Sequence, residues 1–145
     1  ASVGVTTCQD GASNAHDLDF MRKAAEQGRF YLDVVSLPLI MEVPALVKEY
    51  FPTFNSASGT LPKEAAGAFG KYRNRLKLGG IKFVIDGSPQ GKTAFWSKPL
   101  LTPGPGGEAN WRGEPSAPPE LVNKLVATCI AEGIQLFAFE DLFFK

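Results

Sequence analysis

Residues Gly79 to Thr93 read GGIKFVIDGSPQGKT. The apolar run from Ile81 to Ile85 has the β-branched character of a strand, and the Gly- and Pro-containing segment behind it has that of a turn. The stretch closes on Gly91-Lys92-Thr93, which is how a phosphate-binding loop ends. Such a loop requires Gly, four residues, then Gly-Lys-Ser/Thr. The residue at the required first position is Asp86, and Gly87 comes one place too late. A carboxylate at the mouth of an anion-binding loop repels the anion. A helix should also begin at once, with its amino end on the phosphate. Here TAFWSKP leaves few residues before Pro99 stops any helix. The nucleotide reading therefore fails, and the strand ahead of the turn becomes the informative part.

Working outward, Gly79–Asp86 is the best-defined of four expected strands. The others are Val3–Cys8, Arg29–Ile40 and Ile134–Phe139. Val34, Val35 and Leu37 centre the second of these, and Pro38, which cannot donate to a ladder, marks its end or a bulge. The segment Ser13–Gly28 reads as a helix. Ser13 or Asn14 can cap it, Asp17 and Asp19 suit its positive end, and Leu18, Met21, Ala24 and Ala25 fall on one face. Glu42–Phe51 reads as a short helix with Pro44 in its first turn. Pro118–Gly133 is the clearest helix, with Leu121, Leu125, Val126 and Cys129 along one side. Pro52–Lys71 and Thr102–Pro119 read as loops, and the second is long enough to suggest a role. Strands alternating with helices point to right-handed βαβ units and a mostly parallel sheet. The expectation is a single α/β domain over residues 1–145. Its strands, about four and parallel, form either a small open sheet or part of a (β/α)8 TIM barrel.

Composition narrows the partners. The chain has 145 residues, with 15 basic and 15 acidic side chains that cancel. Zero net charge argues against a nucleic-acid binder, since phosphate neutralisation needs clustered Lys and Arg. The one basic cluster, KYRNRLK (Lys71–Lys77), reads as a solvated helical turn or loop ahead of a phosphate-contacting patch. No run approaches the ~20 apolar residues that cross a bilayer. The start, ASVGVTTCQDG, lacks the basic head and apolar run of a secretory leader, and it is not a Met. A chain cut from something longer, or processed, is expected, in the cytoplasm. Cys8 and Cys129 each sit in an apolar segment, so two buried thiols in a reducing compartment are expected, with a disulfide the alternative. Neither has the histidine partner of a catalytic thiol.

Three stretches carry a resemblance: GVTTCQDGAS, LDVVSLPLI and above all LKLGGIKFVIDGSPQGKTAFWSKPLL. Together they resemble the metal-dependent amidohydrolases, in the branch that contains N-substituted formamide deformylase-like enzymes. The resemblance implies a distorted (β/α)8 barrel, of which this chain matches the middle, from about the second strand to the fifth. It implies a parent enzyme hydrolysing non-peptide carbon–nitrogen bonds of a small amide-type substrate. A divalent metal, often zinc, would sit at the strand ends of that parent. Lys82 matches the position of a bridging, carboxylated lysine ligand. Asp86 and Lys92, after that strand, and Gln9 and Asp10, after the first, fall on the same rim as candidate substrate contacts. Each also has a plainer reading: DGS and QDG are turn sequences, and Lys92 lies in a solvated loop. Phe95, Trp96 and Trp111 either cap a substrate pocket or pack their own loops.

The ligand set departs from the family pattern. The only histidine, His16, stands in the first turn of a predicted helix, and there is no His-x-His pair. Phe139 stands where the fifth-strand histidine would be, and phenylalanine cannot ligate a metal. The expectation is a chain that holds no metal by itself and is inactive alone. Its uncovered sheet edges would make it self-associate.

Overall fold

The computed structural model describes residues 1–40 and 69–139. The predicted helix Glu42–Phe51 and most of the loop after it lie outside these residues. The described elements, in chain order, are β1 (Thr7–Ser13), α1 (Ala15–Glu26), β2 (Asp33–Pro38), β3 (Tyr72–Arg73), β4 (Leu76–Leu78), β5 (Ile81–Val84), α2 (Pro119–Ala131) and β6 (Leu136–Phe139). They give a mixed α/β structure dominated by parallel pairing. Two compact units are present. One comprises Ala1–Lys82 with Leu125–Phe137; the other comprises Phe83–Lys124 with the described residues from Ala138.

In the first unit the sheet order is β1-β2-β4-β3. β1 and β2 run parallel, as do β2 and β4, while β3 turns back antiparallel on β4. Helix α1 forms because its sequence supplies both a cap and an apolar stripe. Asn14 accepts a bond from Asp17 N, and Asp17 returns one from Asn14 N, completing a capping box. Leu18, Met21 and Ala25, one helical turn apart, are the buried residues of the helix. Leu18 and Met21 form a core with Val34, against which Phe30, Leu32, Leu76 and Leu78 pack. Each such fully buried side chain contributes roughly 1.5–3 kcal/mol relative to exposure. Gly28, at φ +66°, takes the left-handed conformation that turns the chain out of the helix.

Three expectations are corrected. The first strand is Thr7–Ser13, not Val3–Cys8, and Val3 is 84% exposed. Its limits follow from the partner: Thr7 pairs Asp33 and Asp10 pairs Ser36, whereas the β-branched run before it is not part of the ladder. Because β1 is an edge strand, Cys8 is exposed; only Cys129 is a buried thiol, and both are free. The basic cluster is neither helical turn nor loop but the β3–β4 hairpin. Asn74 and Arg75, at φ 50° and 68°, form its two-residue turn, which has the all-positive φ pattern of a type I′ hairpin.

Pro38 fulfils the expectation of a bulge, and on both of its flanks. Against β1, Asp10 pairs Ser36 and Ser13 pairs Pro38, so Gly11 and Ala12 stand opposite Leu37 alone. On the other flank Ser36 pairs Leu78 and Leu39 bridges Lys82, so Gly79, Gly80 and Ile81 stand opposite Leu37 and Pro38. The strand expected as continuous from Gly79 to Asp86 is thus preceded by β4, broken at the two glycines, and resumed as β5. A residue with no N–H in the middle of a sheet is tolerated where the ladder is already interrupted. Gly80 has a second reason to be glycine: a Cβ there would run into the Gln135 carbonyl oxygen and come 2.9 Å from Phe137 Cε2.

In the second unit, no helix or strand lies between Val84 and Pro119. The long loop expected there is present, and it is knitted by backbone bonds: Trp96 N to Arg112 O at 2.7 Å, Leu100 N to Trp111 O at 2.7 Å, and Ser116 N to Ile85 O at 2.7 Å. Of helix α2, the residues up to Lys124 belong to this unit, and Leu121, expected on the apolar face, is exposed; those from Leu125 belong to the first unit, where Cys129 is buried.

Candidate functional site

In the first unit, polar groups gather where β1 and β2 end. Ser13 and Ser36 are both fully buried. Their hydroxyl oxygens are 2.5 Å apart, and Ser13 Oγ donates to Asp10 Oδ2 at 3.0 Å. A serine has one proton to give, so Ser36 donates to Ser13 and the chain of bonds ends on the Asp10 carboxylate. The other Asp10 oxygen accepts from Ala12 N at 3.3 Å. The β1 bulge makes this possible, because it returns the chain so that Ser13 lies beside β2. Asp10 is therefore a carboxylate held in place from both sides, half-exposed at the middle of β1, where the regular pairing with β2 gives way to the bulge. Gln9, its neighbour, is exposed on β1 opposite Val35.

The sequence reading named Gln9 and Asp10 but missed Ser13 and Ser36 as their support. A signal was present: Ser36 interrupts the apolar run VVSLP, and a hydroxyl at a buried strand position must find a partner.

Lys82 stands on β5, one place beyond the second bulge. Its carbonyl accepts from Ile40 N at 2.8 Å, and it bridges Leu39 in parallel register. The strand alternates, with Ile81 1% and Phe83 6% exposed on one face. Lys82 therefore projects to the other face, half-buried.

The remaining candidates belong to the second unit. Asp86 Oδ2 accepts from Phe95 N at 2.8 Å. Its other oxygen is buried and has no hydrogen-bond partner among the described residues. The turn that follows is closed on itself. Ser88 N donates to Thr93 Oγ1 and Gly91 N to Ser88 Oγ. Lys92 N donates to Pro89 O, and Thr93 N and Ala94 N both donate to Ser88 O. Amide groups that a phosphate loop would turn outward are thus consumed inside the turn, and no helix follows. Lys92, at φ 58°, ties this turn to the long loop. Its ammonium donates to Pro103 O at 2.9 Å, and its carbonyl accepts from Trp111 Nε1. Arg112 stacks 4.6 Å from the Phe95 ring. Trp111 and Phe95 thus make packing contacts within the loop. The buried indole nitrogen of Trp96 has no partner among the described residues.

The donor set does not fit a complete metal centre. Among the described residues no group of three or more His, Cys, Asp or Glu side chains could hold a metal ion. His16 is exposed on α1. Burial pushes the Cys129 thiol above its ordinary pKa, away from the thiolate that a metal or a nucleophilic reaction needs. Lys82 is a single candidate ligand, where a catalytic zinc site has about three. Among the described residues no helix is long and apolar enough to cross a membrane.

No family model and no curated protein matches the chain. Solved structures do. The fold is similar to that of an uncharacterized metal-dependent hydrolase from Pyrococcus horikoshii OT3, with a TM-score of 0.67 and 18% identity over 96% of this chain. It is also similar to an uncharacterized metal-dependent hydrolase from Pyrococcus furiosus, with a TM-score of 0.62 and 19% identity, again over 96% of this chain. The chain spans about a quarter of the length of these hydrolases, 24% and 25%. It therefore shares the fold of about a quarter of each of these two proteins.

Proposed function

We propose that the chain is part of the barrel of a metal-dependent hydrolase that cleaves amide-type carbon–nitrogen bonds, and that it is inactive alone. The observation that carries this reading is the chain of hydrogen bonds from Ser36 through Ser13 to Asp10 across the parallel strands β1 and β2, on a fold shared with a quarter of two uncharacterized metal-dependent hydrolases. Asp10, fixed by Ser13, and Lys82, on the β5 face away from Ile81 and Phe83, are the groups this portion contributes to the rim. Gln9, Asp86 and Lys92 are further substrate-side groups, Lys92 acting through the loops it ties together. In the parent, a divalent ion such as zinc would activate water, with Lys82 as a carboxylated ligand. The parent supplies the other ligands, since this chain's described residues do not.

A second reading is supported by the β1 edge. It is seven residues long with no Lys, Arg or Pro to guard it, and Val3 and Val5 are exposed just ahead of it. On that reading the chain is a non-catalytic βα domain that self-associates.

Metal analysis, an amide-hydrolysis assay and sedimentation on the purified chain test both. The first reading expects no stoichiometric metal and no turnover. One zinc per chain with turnover that is lost in Lys82→Ala would overturn its inactive-portion claim. A well-folded monomer at high concentration would remove the second.

A further inference from the structure

We propose that the cleft between the end of α1 and the β3–β4 turn binds a free α-amino acid with an apolar side chain. One cavity of about 260 Å³ is lined by Ala25, Glu26, Gly28, Phe30, Asn74 and Arg75. All six residues belong to the first unit. The cavity lies at the amino ends of two parallel strands: Phe30 precedes β2, which begins at Asp33, and Arg75 immediately precedes β4. It uses neither Asp10 nor Lys82.

Two opposite charges line this cavity without being joined to each other. Arg75 donates one N–H to Asp33 Oδ1 at 3.1 Å, which orients the guanidinium. Its remaining N–H donors are unbonded among the described residues, and the Glu26 carboxylate has no hydrogen bond or ion pair there. A molecule with a carboxylate for Arg75 and an ammonium for Glu26 can bridge them. The guanidinium fork matches a carboxylate in two parallel bonds. Glu26 is the last residue of α1, and the carbonyl end of a helix also favours a cation. Asn74, in the turn, adds a carboxamide that both donates and accepts. Apolar surface comes from buried Ala25 and from Phe30, which is packed against the core of Leu18, Met21 and Val34. Gly28 has open space where a Cβ would stand, so the cleft is not narrowed there. The volume is below the roughly 300–1,000 Å³ of pockets for drug-sized ligands, so the occupant is small. A peptide terminus carries only one of the two charges, whereas a free amino acid carries both on one carbon.

The test follows the backbone amide resonances of Gly28, Asn74 and Arg75 in the wild-type 145-residue chain as L-leucine is added. They should shift saturably, with Gly11 on β1 unmoved. Two analogues separate the charges: isocaproate lacks the ammonium, and isopentylamine lacks the carboxylate. Each should bind at least about tenfold more weakly than leucine, because each leaves one charged side of the cleft unused. Glu26→Gln should weaken leucine at least about tenfold and leave isocaproate unchanged. Arg75→Gly should weaken leucine to a similar extent and leave isopentylamine unchanged. If a variant fails to fold, the comparison of the three ligands on the wild-type chain still decides. No saturable shift, an analogue that binds as tightly as leucine, shifts spread beyond the cleft, or a folded Glu26→Gln that binds leucine as the wild type does would overturn the proposal. Neither metal nor turnover enters the measurement, so either result leaves the hydrolase reading where it stands.

Discussion

Replacing Gly80 by alanine tests the central claim about how β5 is placed. The added Cβ would overlap the Gln135 carbonyl oxygen, and would lie 3.0 Å from Gln135 C and 2.9 Å from Phe137 Cε2. Two of these three atoms are backbone, so a rotamer change cannot clear the way. The segment leading into β6 must move back from β5, and the bond from Ile81 N to Gln135 O, 2.9 Å long, must stretch or break. Overpacking of this kind costs about 1–3 kcal/mol. Losing a buried backbone bond costs about 1–3 kcal/mol more, partly overlapping the first. The expected loss is therefore about 2–4 kcal/mol, a large share of a typical stability of about 5–15 kcal/mol. In thermal unfolding it should lower Tm by roughly 10 °C. Gly28→Ala is the matched control. Gly28 has open space where its Cβ would go, and only its φ of +66° is strained by alanine. That strain is worth about 1 kcal/mol. Urea unfolding of both variants, followed by circular dichroism, with hydrogen exchange at Ile81, reads the difference. If Gly80→Ala unfolds within about 0.5 kcal/mol of the wild type, or costs no more than Gly28→Ala, the close approach of β5 to Gln135 is refuted.

Other perturbations have equally definite outcomes. Asn14→Ala removes one side of the capping box and should cost about 1 kcal/mol in urea unfolding, with Asn14→Asp close to neutral. Arg75→Gly relieves a left-handed φ of 68° and loses an exposed ion pair to Asp33 at 3.1 Å. Relief of about 1 kcal/mol against a pair worth about 0–1 predicts a neutral or stabilised hairpin, and a clear destabilisation would contradict it. Bonds from Lys23 and then Arg22 hold the Asp19 carboxyl below its ordinary value of 3.8. A depressed folded pKa means that the contribution to α1 is present above 3.8 and fades as pH falls through the lower folded value. Asp19→Asn should flatten that acid limb in a series of urea midpoints. Finally, a thiol reagent should label Cys8 at once in the native chain and Cys129 only after unfolding. Two rapid equivalents would show that Cys129 is not buried.

What was legible in the sequence was what local chemistry decides. Helix α1 could be read from Asn14, Asp17 and the spacing of Leu18, Met21 and Ala25, because cap and stripe both lie within the segment. The failed phosphate loop could be read from Asp86 and the misplaced Gly87. What was not legible depends on pairing across long separations. Thr7–Ser13 is a strand because Asp33–Pro38 lies beside it, and Val3–Cys8 looks more strand-like in isolation. Ser13 could be proposed as a helix cap, but its bond to Ser36, 23 residues away, depends on a bulge that residue types do not announce. The same bulges, one on each side of Leu37 and Pro38, set the ends of β1 and β5 relative to β2. They decide to which face Asp10, Ser13 and Lys82 are turned. A rim built this way is sensitive to one-residue shifts, since each shift turns a side chain to the opposite face. Removing one bulge residue, for example by deleting Ala12, would therefore disturb Asp10 and Ser13 before it disturbed the core beneath them. Pro38, which the sequence marks as a strand's end or a bulge, is both: β2 ends on it, and the pairing is irregular on its two flanks.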